Sequence, residues 1–149
     1  MAHDYKKFPE LTNGQLAELE LMSPHPQIKG DFYATVVKVH DGDTITLETD
    51  TRDFTFPLRF LEIDAPELND GGEITRDWLK DRIEGREVQI LIDPNNRVGK
   101  YGRLLGKVFY GGQDIGIEEY RLGLATEFGN KNEGEIPISD KILSVKQWF

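Results

Sequence analysis

The stretch Arg59-Phe60-Leu61-Glu62-Ile63-Asp64-Ala65-Pro66-Glu67 starts as a strand and ends as a rigid corner. Its first half mixes aromatic and branched residues with one cation; its end is a carboxylate, a proline and a second carboxylate. Pro66 fixes its own φ and drives Ala65 out of the helical region, so a strand here stops in a defined kink. A cation and two carboxylates at the rim of a rigid strand suit metal-assisted attack on an anionic ester. An ordinary solvated strand end has the same composition, so the neighbouring stretches must decide. There is also a parity condition. Arg59 and Asp64 are five positions apart, and one regular strand would point them to opposite faces. They share a site only if the strand twists strongly, bulges or ends before Asp64, and Pro66 offers such an ending.

Upstream, the period is two from Phe32, with Tyr33, Thr35, Val37 and Val39 on one side of a β-branched strand. Asp41-Gly42 is a turn dipeptide, and residues 44–48 return as the second arm of a hairpin. A polar turn precedes a third strand over residues 54–63, where Pro57 implies a bulge or an edge position. Downstream, Ile74, Trp78, Leu79 and Ile83 mark the apolar face of a helix that Gly85 stops. Residues 87–92 read as a fourth strand and 100–110 as a fifth, which Gly111-Gly112 breaks. A second helix is expected near residues 114–122, then a polar loop and a last helix over residues 139–148. The order is β-β-β-α-β-β followed by helices, an α+β domain over residues 31–149. Five antiparallel strands of this length avoid open edges by closing into a Greek-key OB-fold barrel.

Residues 1–30 read as an extension. Thr12-Asn13-Gly14-Gln15 matches a capping box, Leu11 and Leu16 are spaced as a hydrophobic staple, and Leu16 and Leu19 give a short apolar face. The segment is expected to pack on the domain or to dock a protein partner. It holds no evident chemistry.

The 149 residues contain no cysteine, which excludes disulfides and thiolate catalysis. No apolar run approaches a membrane span and no signal-like segment follows Met1, so a cytoplasmic protein is expected, or a secreted one if a leader was removed; a monomer is expected. His3, His25 and His40 are too scattered for a metal or triad set. The net charge of −9 opposes nucleic acid at long range. Charge is uneven, however. Asp93 stands against Arg97, Lys100, Arg103 and Lys107, a cationic stretch in an acidic chain.

Four pieces occur in order: Val39-His40-Asp41-Gly42-Asp43-Thr44, the Arg59 to Glu67 stretch, Lys100-Tyr101-Gly102-Arg103, and Arg121-Leu122-Gly123-Leu124-Ala125. Together, over residues 33–125, they resemble the staphylococcal-nuclease family. That resemblance implies a Ca²⁺-dependent endonuclease hydrolysing DNA or RNA and leaving 3′-phosphate ends. It casts Asp43, Asp64 and the backbone carbonyl of Ala65 as metal ligands, oxygen donors that suit a hard cation. It casts Glu67 as the base that orients the attacking water, and Arg59 and Arg103 as the phosphate clamp, for which guanidinium is geometrically matched. Lys100 and Tyr101 become substrate-pocket residues, and Phe128 can stack on a base. Two departures stand out: Glu127 and Phe128 lie where the family places tyrosines, and the loop after Glu67 is short. The rival reading is a non-catalytic OB-fold module that binds nucleic acid or a protein partner. Retention of Asp43, Asp64, Glu67, Arg59 and Arg103 favours the enzyme.

Overall fold

Alternation from Phe32 onward becomes a twisted barrel in the computed structural model, which describes residues 3–99 and 101–127. Its strands are β1 (Phe32–Asp41), β2 (Thr44–Glu48), β3 (Phe56–Phe60), β5 (Glu87–Leu91) and β6 (Leu104–Tyr110). Three short strands accompany them: β4 (Ile63–Asp64), β7 (Gln113–Asp114) and β8 (Thr126–Glu127). The helices are α1 (Asn13–Leu19), α2 (Gly72–Ile83) and α3 (Ile115–Arg121). The expected last helix and the loop before it lie outside the described residues.

Inward positions of every barrel strand meet in one core. Val36, Ile45, Leu47, Leu58 and Ile90 are fully buried, and α2 adds Leu79 and Ile83 to them. The strand order is β3-β2-β1-β5-β6, closed by β3 against β6. Four of the five neighbouring pairs are antiparallel, but β3 and β6 run parallel, with Leu58 opposite Leu104 and Phe60 opposite Gly106. The expectation of a wholly antiparallel barrel is thus corrected. A ring with an odd number of strands cannot alternate direction all the way round, so one pair has to be parallel. Pro57 lies opposite Thr46 of β2 and before the β6 pairing begins at Leu58, so at that residue β3 pairs with β2 and not with β6.

The capping box is present: Thr12 Oγ1 accepts from Gln15 N, and Gln15 Oε1 accepts from Thr12 N. The helix it opens has no fully buried residue; Leu16 and Leu19, its expected apolar face, are half-buried. The anchors are its flanks. Leu11 is completely buried, and its N–H donates to Gln27 Oε1 at 2.7 Å. Arg52 makes a buried two-pronged pair with Glu10 at 2.5 and 2.9 Å, stacked over Phe56. Arg97 is 2% exposed and donates to Leu11 O, Asn13 Oδ1 and Ile28 O. Arg97 therefore leaves the expected cationic patch and becomes the tie between barrel and N-terminal segment. Lys107 is likewise engaged, 3.5 Å from Glu62.

Candidate active site

The corner forms earlier than the proline suggests. β3 stops at Phe60, and Glu62 turns the chain with φ 76°, the only non-glycine at positive φ among the described residues. Such a backbone costs on the order of 1–3 kcal/mol and persists only where surroundings enforce it. Arg59 enforces it: Nη1 donates to Phe60 O at 2.6 Å and to Ile63 O at 2.8 Å. The parity condition is met by a bend inside the stretch, so Arg59 and Asp64 face one another at 3.1 Å.

The first hairpin brings in the second carboxylate. Its turn lies against the corner because Phe60 N donates to Asp43 O at 2.8 Å and Ala65 N donates to Asp43 Oδ2 at 2.8 Å. Gly42 makes the approach possible. A Cβ there would come within 2.4 Å of Thr75 Cγ2 and 2.6 Å of the Ala65 Cβ. Arg59 Nη2 then lies 3.5 Å from Asp43 Oδ2 as well, so one guanidinium spans both carboxylates. Thr44 Oγ1 donates to Asp43 Oδ1 at 3.2 Å, and Asp43 N donates to Asp41 Oδ1 at 3.0 Å. From the other side, β8 pairs with β4, setting Thr126 opposite Asp64, and Thr126 Oγ1 donates to Asp64 O at 3.3 Å.

Burial pushes the Asp43 carboxyl up to about 6. The Arg59 guanidinium and the Ala65 N–H pull it down, while Asp41 adds to the rise. Desolvation thus outweighs the one cation at hand.

Glu67 and Tyr101 are exposed and Arg103 is half-buried, around this buried centre. Glu67 follows the corner directly, and its carbonyl accepts from Asp70 N and Gly72 N, both at 2.9 Å. Its side chain therefore leaves the rim at a fixed point. Arg103 ends a tight turn in which Gly102 N donates to Gly99 O and Gly99 N to Arg103 O. Its guanidinium lies 6.0 Å from the Tyr101 ring centre. Arg103 immediately precedes β6, two positions before Leu105, the residue that pairs with Arg59. Direct contacts thus unite Asp43, Asp64, Arg59 and Ala65, while Glu67 follows the corner in the chain and Arg103 precedes β6. Lys100 and Phe128 lie outside the described residues.

The donors present fit a hard divalent cation. Two carboxylates are held within reach of one positive centre at a surface rim, beside the main chain of the corner. No group of three or more His, Cys, Asp or Glu able to hold a metal gathers among the described residues. Carbonyl and water oxygens would supply the remaining ligands, as Ca²⁺ sites allow.

Three residues of the site went unforeseen. Asp41 and Thr44 bracket Asp43, and their spacing in the turn was the signal for them. Glu119 is fully buried, and neither of its carboxylate oxygens has a hydrogen-bond partner. Burial, then the charges of Asp43 and Asp41, push it up to about 10. Its signal was helical spacing, since Glu119 is four residues after Ile115, on the face that turns inward.

Residues 57–145 match the family model described as "Staphylococcal nuclease homologue". An Escherichia coli protein named "Uncharacterized endonuclease" is 32% identical over 124 residues, 82% of this chain and 74% of that protein. The "Micrococcal nuclease" of Shigella flexneri is 38% identical over 80 residues, 53% of this chain and 43% of that protein. A Haemophilus influenzae protein, also named "Uncharacterized endonuclease", is 34% identical over 91 residues, 60% of this chain and 49% of that protein.

Proposed function

The chain belongs to the staphylococcal nuclease family, and from that premise we propose that it is a Ca²⁺-dependent nuclease cutting DNA or RNA to leave 3′-phosphate ends. The observation that carries this reading is the convergence of Asp43 and Asp64 on the Arg59 guanidinium at the barrel rim.

Asp43, Asp64 and the Ala65 carbonyl would hold the cation, which when bound offsets the charge of the phosphodiester and polarises it. Glu67 takes a proton from the attacking water as its oxygen bonds to phosphorus. Arg103 donates to the non-bridging oxygens, where negative charge grows in the transition state. Arg59 keeps Nη1 on the corner's carbonyls, and a phosphate oxygen takes the Nη2 hydrogen bond that Asp64 now accepts. The 5′-oxygen of the next nucleotide leaves with a proton from solvent, and no covalent intermediate forms. Lys100 and Phe128 would extend the substrate contacts, with Tyr101 beside the scissile phosphate. Carboxylates are weak bases, so an alkaline optimum is expected.

The test is cleavage of single-stranded and duplex DNA and RNA with Ca²⁺ or chelator, beside Glu67→Gln. Cleavage should need the cation, and Glu67→Gln should lower kcat about 10²- to 10⁴-fold. Equal rates for variant and wild type sink the mechanism. Binding without cleavage under any divalent ion leaves the non-catalytic OB-fold module as the function.

A further inference from the structure

A groove of about 480 Å³ separates the N-terminal turn from the entry of β3. That is within the roughly 300–1,000 Å³ of ordinary ligand clefts. Tyr5, Lys6 and Lys7 line one wall, His25 and Phe54 the floor, and Pro57 the end nearest the corner. The wall is rigid, because Phe8 N donates to Asp4 O and the N–H groups of Lys6 and Lys7 both donate to Asp4 Oδ1. The floor is rigid too: the His25 and Phe54 rings lie 4.8 Å apart, with Tyr5 edge-on to His25 at 6.2 Å.

Two features join this groove to the candidate active site. Pro57 is exposed between buried Phe56 and Leu58, so it shares the outer face of β3 with Arg59, about 7 Å along the strand. Extending the β3–β6 register by one residue sets Arg103 beside Pro57. Next to Arg103 in the chain, Gly102 packs against Phe8, whose ring an added Cβ would meet at 2.7 Å. The N-terminal turn therefore bridges the entry of β3 and the turn that carries Arg103.

The charge is unusual for this molecule. Lys6 and Lys7 face one acidic residue of the lining, Asp53, although the chain as a whole is −9. Neither lysine makes an ion pair among the described residues, and Lys7 Nζ lies 5.4 Å from the Phe8 ring centre. Two lysines and the rings of Tyr5, His25 and Phe54 line one groove, the elements of a single-strand site, where cations follow the phosphates and rings take the bases.

We propose that this groove is a subsite for single-stranded nucleic acid, holding the nucleotides next to the scissile phosphate on the Pro57 side of Arg59. It deepens the nuclease reading and rests on it for the position of that phosphate. The N-terminal segment thereby supplies positive charge that the barrel lacks, and it does so along the path of the substrate. Lys6 and Lys7 contact phosphates, and Tyr5 and Phe54 offer ring faces to bases.

The experiment measures anisotropy of a labelled 12-nucleotide single strand in chelator, across a salt series, so that no cleavage is needed. Lys6→Glu/Lys7→Glu is compared with Lys80→Glu/Arg86→Glu, which changes net charge equally at exposed positions of α2 and the turn after it. Circular dichroism melts check folding, and Lys6→Gln/Lys7→Gln replaces the reversal if that variant fails to fold. Loss of the two groove contacts should weaken binding about tenfold and flatten the salt slope by about 1.4, near 0.7 per phosphate, while the control keeps the wild-type slope. An unchanged affinity, an equal loss in the control, or a wild type that binds no single strand overturns the groove. Cleavage by the wild type is scored separately. A groove that binds in a protein that never cuts would therefore fail the nuclease reading alone, and cutting without groove dependence would fail the groove alone.

Discussion

Glu119 and Asp43 show how single carboxyl groups set the behaviour of the site. Glu119 is buried, unpartnered and pushed up to about 10. In the unfolded chain it ionises near its ordinary value of 4.5. Between those values the folded state holds a proton that the unfolded state has released, so its contribution is intact below about 4.5 and is lost as pH rises. Glu119→Leu should therefore stabilise the fold, by about 1–3 kcal/mol near pH 8 and by much less near pH 5, because it removes a buried unsatisfied group. Denaturant melts at the two pH values read this directly, and a gain that does not grow with pH refutes it. Asp43 carries the same sign at a lower range. With its carboxyl pushed up to about 6, a proton competes with a cation there below that pH. Calorimetric Ca²⁺ affinity should fall about fivefold from pH 6 to pH 5 and stay level from 7 to 8; a flat profile down to pH 5 removes Asp43 from the metal site.

At the scale of elements, two devices build the site, the hairpin turn at Gly42 and the corner at Glu62, while the N-terminal segment forms a strap tied to the barrel. The hairpin was legible, since Asp-Gly between two β-patterned runs is a strong local signal. The corner was legible only as a need. Pro66 marks where regular structure must stop, but the turn is made at a glutamate, and what holds it there is the Arg59 side chain reaching back to two carbonyls. Nothing local marks Glu62 for positive φ. The N-terminal segment packs on the barrel, one of the two outcomes expected for it. Its capping box is local chemistry and was found, whereas its anchors join Glu10 to Arg52 and Leu11 to Arg97, 42 and 86 positions away. Glu10→Ala should leave the Arg52 charge buried and unpaired, at a cost of about 3–5 kcal/mol. Chemical denaturation measures it, and a loss under 1 kcal/mol would mean that the strap contributes little to folding.

Across the whole molecule, local pattern and long-range contact divided the work unevenly. Periodicity placed all five barrel strands, the two helices after β3 that are described, and α1. The four short motifs brought Asp43, Arg59, Asp64, Glu67 and Arg103 into consideration together. Those are properties of neighbours in the chain: alternation, capping, turn chemistry and residue spacing. Only the tertiary structure decided that β3 closes on β6 in parallel, because that follows from the direction count of a complete ring. It alone showed that Arg97 is a buried tie and not part of a cationic face, because burial depends on what the N-terminal segment lays over it. It also decided that Arg59 faces Asp64, since the bend that cancels their odd spacing is held by a side chain reaching back to two carbonyls and by Leu61 N donating to Gly106 O across the barrel. The chain carried the inventory of the site in its order of residues, and folding supplied the distances between them.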